Sequence, residues 1–161
     1  MLAASATTLP LFGALSACAG PDPLKGPPPL SADVRALLQA VTAEQNLIWI
    51  YKRTMASYSA LAPSLGALLA EHQAHLAQLR GRIVEPPGKS VPATVTSKPA
   101  VPGTPATALA QLRAAEQSAS TAQLRRLAGA SPSLAQLYAS IAASEATHVT
   151  TLTALARRNP G

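Results

Sequence analysis

A glutamate and a histidine, three residues apart, interrupt the most apolar helical stripe of this chain. That interruption limits what the chain can fold into. Between Leu134 and Leu155, Leu134, Leu137, Ile141, Leu152 and Leu155 recur at helical spacing. Glu145 and His148 fall on the same stripe, because residues three apart on a helix share a face. A carboxylate and an imidazole placed on a core-facing stripe must bind something there or satisfy each other.

Three more stripes carry the same kind of interruption. Helix A is predicted from the N-cap Ser31, with Asp33 in its first turn, to about Ala60, before Pro63. Its face reads Val34, Leu37, Val41, Glu44, Ile48 and Tyr51. Helix B is predicted from Ser64 toward Gly81, with Leu65, Leu68, His72, His75, Leu79 and Ile83 on one side. Helix C runs from about Thr107 to Ala128 and stops at Gly129, with Leu109, Leu112, Glu116, Ala119, Gln123 and Leu127 facing the core. Helix D follows Ser131-Pro132 and runs to about Arg158. Aromatic residues are only 3% of the chain, so the core must be built from Leu, Ala, Val and Ile. Leu and Ala are also among the best helix formers.

These elements predict an all-α domain over residues 31–158: an antiparallel four-helix bundle made of two helical hairpins. Residues 85–106 are rich in Pro, Val, Thr, Ser and Lys and show no helical period. So long a stretch needs a topological task. Helices of roughly 24 residues are about 36 Å long, and twenty extended residues reach roughly 65 Å. The segment is therefore long enough to cross the bundle from end to end.

The hairpins resemble each other. Ala43-Glu44-Gln45 matches Ala115-Glu116-Gln117 at an offset of 72, and His72-Gln-Ala-His75 matches Glu145-Ala-Thr-His148 at an offset of 73. An internal duplication accounts for both. The inward polar set is then Glu44 from A, His72 and His75 from B, Glu116 from C, and Glu145 and His148 from D. It includes every histidine of the chain.

Charge excludes other classes. The net charge is +6, but the cations are spread along the chain. Pairs such as Arg125-Arg126 and Arg157-Arg158 sit near helix C-termini, where they offset the dipole. Nucleic-acid binding would need clustered charge with stacking aromatics, so no nucleic-acid partner is expected. No Ser–His–Asp, P-loop, dinucleotide or Cys-rich zinc pattern appears. Trp49, Tyr51, Tyr58 and Tyr138 read as packing residues.

The front of the chain reads as an address. Residues 1–17 carry no charge, and Leu9–Leu15 has the length of a secretory apolar core, too short to span a bilayer. Leu15-Ser16-Ala17-Cys18 follows, and Cys18 is the one cysteine of the chain. This resembles the lipobox of bacterial lipoproteins. The resemblance implies a signal peptide over 1–17, cleaved before a lipidated Cys18, and an anchor on the extracytoplasmic face of the cell membrane. The basic front of such a signal is missing, and the expectation is a truncated start. Residues 18–30 are Pro-rich and read as a semi-rigid tether.

One Glu from each of two helices, an i, i+3 pair from each of the other two, and a long crossover together resemble the ferritin-like superfamily. The closer likeness is to ferritin-like-domain lipoproteins of high-GC bacteria. The resemblance covers about residues 31–158 and implies a metal centre of iron, manganese or zinc on Glu44, His72, His75, Glu116, Glu145 and His148. His72 departs from the pattern, which places a Glu there. Glu71 lies one residue earlier, about 100° around the helix, and reaches the site only from its edge. Three carboxylates and three imidazoles suit one metal, or a softer pair such as zinc, better than a carboxylate-bridged iron pair. Two readings stay open: an envelope-anchored metal protein, with or without a reaction, and a metal-free lipoprotein scaffold with a vestigial polar core. A homodimer joined through helix faces ranks below both, because no second apolar stripe is present.

Overall fold

The computed structural model describes residues 30–83, 100 and 102–159. The expected signal peptide, Cys18, nearly all of the tether and residues 85–99 and 101 of the crossover lie outside them. Four helices make up the described chain: α1 (Ala32–Ser57), α2 (Ala62–Arg80), α3 (Pro105–Arg126) and α4 (Pro132–Arg158). There is no strand among the described residues.

Local chemistry sets the helix ends. The Ser31 hydroxyl accepts the Val34 amide at 3.2 Å and caps α1. The helix stops at Ser57, three residues before the predicted end. One 3-10 turn, Ser59–Leu61, leads straight into α2. α2 starts at Ala62, earlier than the expected Ser64, with Pro63 in its first turn. A proline costs nothing there, since the first amides of a helix have no intrahelical partner. α3 starts at Pro105, two residues before the predicted Thr107, so the crossover ends at Thr104. Thr104 and Thr107 cap reciprocally: the Thr107 amide donates to the Thr104 hydroxyl at 3.2 Å and the Thr104 amide to the Thr107 hydroxyl at 3.3 Å. A 3-10 turn at Leu127–Gly129 follows α3. α4 covers the predicted span.

The fold is like a helical bundle, with α1 packed on α2 and α3, and α4 packed on α3 and α2. Two apolar clusters form the core. One joins Ile50 and Tyr51 of α1, Leu65 and Leu68 of α2, Leu109 and Leu112 of α3, and Leu152 and Leu155 of α4. The other joins Leu37, Ala40 and Val41 of α1, Leu79 of α2, and Leu134, Leu137, Tyr138 and Ile141 of α4. On α1, α2 and α4, the buried Glu and His residues fall in sequence between the residues of these clusters. Burying a leucine contributes about 1.5–3 kcal/mol, which lets two apolar ends offset a polar middle that folding alone would disfavour.

The α1 face is broader than its stripe predicted. Leu47 and Ile50 are buried, while Ile48 is half-buried. A helix covered by two neighbours hides a wider arc than one covered by a single partner.

Candidate metal centre

His72 is the hub. Its ring is fully buried, with Nδ1 2.9 Å from Glu44 Oε2 and Nε2 2.8 Å from Glu116 Oε1. A carboxylate only accepts hydrogen bonds, so both ring nitrogens donate and His72 is an imidazolium. One cation thus links α1 to α3 through a residue of α2. Two other donors meet the same oxygen: the Tyr51 hydroxyl donates to Glu116 Oε1 at 2.5 Å, and His148 Nδ1 lies 3.2 Å from it. Glu116 Oε2 receives nothing.

His148 repeats the arrangement toward the surface. Its Nε2 is 3.0 Å from Glu71 Oε2, and the Ser144 hydroxyl donates to that same Glu71 oxygen at 2.7 Å. Glu71 keeps 55% of its side chain in solvent. His75 Nδ1 lies 3.4 Å from Glu44 Oε1, close enough for attraction but not aligned for a hydrogen bond, so both atoms stay unpartnered. Glu145 differs from all of these. It is fully buried, and neither of its oxygens has a hydrogen-bond partner.

The acids of the chain are spent here. Five lie among the described residues, and four of them (Glu44, Glu71, Glu116 and Glu145) belong to this cluster. The fifth, Asp33, sits in the first turn of α1.

Environment drives the carboxyls apart. Burial raises the Glu116 carboxyl, but hydrogen bonds from His148, His72 and Tyr51 outweigh it and hold the group at about 2. For Glu44, burial is likewise outweighed by His72 and His75, and the group falls below its ordinary value. Glu145 has no donor. Burial first, then repulsion from Glu44 and Glu116, pushes it up to about 8, so it is protonated at neutral pH. Burial works against the His72 cation, yet Glu116 and Glu44 raise it to about 9. His148 is raised in the same way by Glu116 and Glu71.

A pH profile follows for the metal-free protein. His72 and Glu145 are both raised, and a raised group favours the fold below its ordinary pKa and loses that advantage as pH climbs. Their windows run from 6.5 to about 9 and from 4.5 to about 8. Glu116 is lowered, so its contribution is present above 4.5 and lost as pH falls toward about 2. Stability should peak around pH 5 and fall by about 3 kcal/mol or more by pH 9. Urea denaturation across that range, with chelator present, measures it. A flat profile would overturn the charge assignments.

The donor set fits a metal ion. Glu44, His72 and His75 each present a ligand atom within 4.8 Å of the others, and His72, Glu116 and His148 form a second such triad sharing the central ring. Glu44 Oε1, His75 Nδ1, Glu116 Oε2 and both Glu145 oxygens are buried and have no hydrogen-bond partner, although the first two lie 3.4 Å apart. Unpaired buried donors and acceptors on this scale are unfavourable unless something binds them. Mixed imidazole and carboxylate donors suit zinc, iron or manganese.

Five of the six sequence candidates therefore enter the two triads. Glu145 belongs to neither, and it meets the cluster through its field on Glu44 and Glu116. One participant differs from its sequence reading. Tyr51 read as packing. It is buried, and its hydroxyl also holds Glu116. Its place seven residues after Glu44, two turns along the same face, was the available signal. Glu71 bonds His148 from the rim, where its helical angle put it. A scan against protein-family models, a search of curated proteins and a search of solved structures each gave no match.

Proposed function

We propose that this protein is an envelope-anchored, ferritin-like protein whose bundle binds a transition-metal ion at the Glu/His cluster. The observation that carries the reading is the two buried triads of ligand atoms that share His72, with Glu44 Oε1, His75 Nδ1 and Glu116 Oε2 left without a hydrogen-bond partner. The apolar clusters support an antiparallel ferritin-like order of helices. The later part of α1 shares a cluster with the early parts of α2 and α3 and the end of α4. That grouping fits an up-down-down-up arrangement, in which the connection from α2 to α3 must run the length of the bundle.

In this reading Glu44, His72, His75, Glu116, Glu145 and His148 hold the metal, and iron, manganese or zinc would supply Lewis acidity or, for iron, electron transfer. The chain's own work is to orient the ligands. Tyr51 fixes Glu116 through one oxygen and leaves the other free. The apolar clusters on α1, α2 and α4 exclude water. Anchoring rests on the lipobox-like Leu15-Ser16-Ala17-Cys18. No described helix is long and apolar enough to cross a membrane.

A metal-free scaffold is the second reading, and one observation favours it. Both nitrogens of His72 are already taken by carboxylates, so a buried cation occupies the middle of the cluster without any metal. Elemental analysis of the full chain purified under metal-replete conditions separates the two. Bound metal that survives dialysis and raises Tm supports the first reading, since a ligand that binds only the folded state must stabilise it. No metal and no Tm shift supports the second. Membrane fractionation of the wild type against Cys18→Ser tests the anchor, and equal partition would remove it.

A further inference from the structure

Three of the four acids of the cluster, Glu44, Glu116 and Glu145, are fully buried. A hydrated cation in solvent cannot reach them directly. Glu71 is the fourth, and it spans the boundary. More than half of its side chain is in water, while its Oε2 is 3.0 Å from His148 Nε2. From there the ligand atoms lead inward. His148 Nδ1 is 3.2 Å from Glu116 Oε1, which is 2.8 Å from His72 Nε2, and the far nitrogen of that ring is 2.9 Å from Glu44. His75, with 12% of its side chain exposed, comes within 3.4 Å of Glu44 from the same helix.

Two surface clefts offer a cation much less. One lies between α1 and α3. It is lined by Ala43, Asn46, Leu47 and Ile50, together with the residues 72 positions after each, and none of them is charged. That offset is the one that separates Glu44 from Glu116, and the cleft holds no charged ligand for an ion. The other lies between the end of α2 and the start of α4, and its one charged residue is Arg82. The chain as a whole carries a net charge of +6, so a cation approaching at random is repelled.

We infer that Glu71 is the capture residue of the centre: it takes a divalent cation from solvent at the seam of α2 and α4 and passes it through His148 to the buried ligands. This rests on the metal-binding reading above and adds the route. The chain lacks a carboxylate at position 72, and the acid one residue earlier serves at the rim instead. An exposed carboxylate at the mouth of a buried site raises the local cation concentration and the association rate. The same charge contributes little once the ion has moved inside to other ligands.

The test uses Co2+ as probe. The full chain, stripped of metal, is mixed with Co2+ in a stopped-flow instrument, and the ligand-field absorption reports arrival. Glu71→Gln should slow association at least tenfold at low ionic strength while changing the equilibrium dissociation constant less than threefold. Added salt should shrink the difference between wild type and variant, because an exposed charge is screened. Ala122→Leu narrows the apolar cleft and should leave the rate unchanged. If Glu71→Gln associates as fast as wild type, or if its loss lies in faster dissociation, Glu71 is not the capture residue and the metal-binding reading stands. If wild type binds no Co2+, Zn2+ or Mn2+ at all, both fall. The side chain is exposed enough that Glu71→Gln should fold, and an unchanged helical circular dichroism signal verifies that.

Discussion

Glu116→Leu is expected to cost the metal-free protein about 3–5 kcal/mol, the largest loss from any single change in the centre. One oxygen of Glu116 accepts from Tyr51, His72 and His148, residues of three different helix segments. Removing it leaves the buried His72 with Glu44 alone, His148 with Glu71 alone, and the Tyr51 hydroxyl with no acceptor. Breaking buried pairs by removing one partner leaves desolvated groups half-compensated, which costs more than the net worth of the pairs. Glu116→Gln should lose less, because an amide oxygen still accepts while the negative charge is gone. Urea denaturation at neutral pH with chelator present gives both values. A loss under about 1 kcal/mol for Glu116→Leu would mean that the three donors find other acceptors and the hub is not what holds the polar middle together.

Glu145→Leu is expected to act with the opposite sign. Its oxygens have no partner, and its carboxyl is forced to stay protonated by burial and by two neighbouring acids. A leucine of similar volume removes both costs. The metal-free protein should gain about 1–3 kcal/mol and several degrees in Tm. The same change should lower metal affinity tenfold or more, because the acid that the fold leaves unsatisfied is the one a metal would use. Calorimetry with and without Zn2+ reads both effects. Destabilisation by Glu145→Leu would show that this acid has a structural partner after all. Unchanged metal affinity would remove it from the ligand set. The pair of substitutions therefore separates an acid that holds the fold from an acid that the fold tolerates, a common arrangement where stability is given up for a site.

Much of this was readable from the residue order. The cap at Ser31, the proline at 132 and the periodicity of Leu, Ala and Ile mark the helices to within a few residues, whereas the Thr104 cap and Pro105 open α3 two residues before the predicted Thr107. Period 3.6 also placed Glu44, His72, Glu116, Glu145 and His148 on buried faces, and all five are buried. His75 is less deeply placed than its stripe implied, since it lies at the margin of α2's buried arc. Pro63 was misread as only a stop, because a proline that ends one helix can equally open the next when the turn between them is short.

What the chain order determined, then, is which side chains turn inward, because rotation about a helix axis is set by local backbone geometry alone. What only the tertiary structure decided is which inward atoms meet. That His72 lies between Glu44 and Glu116, that Tyr51 reaches Glu116 and Glu71 reaches His148, and that Glu145 is left without a donor all depend on the axial register of four helices. Register is fixed by the packing of Leu, Ile and Tyr side chains across the helix interfaces, and a hundred degrees per residue says nothing about it.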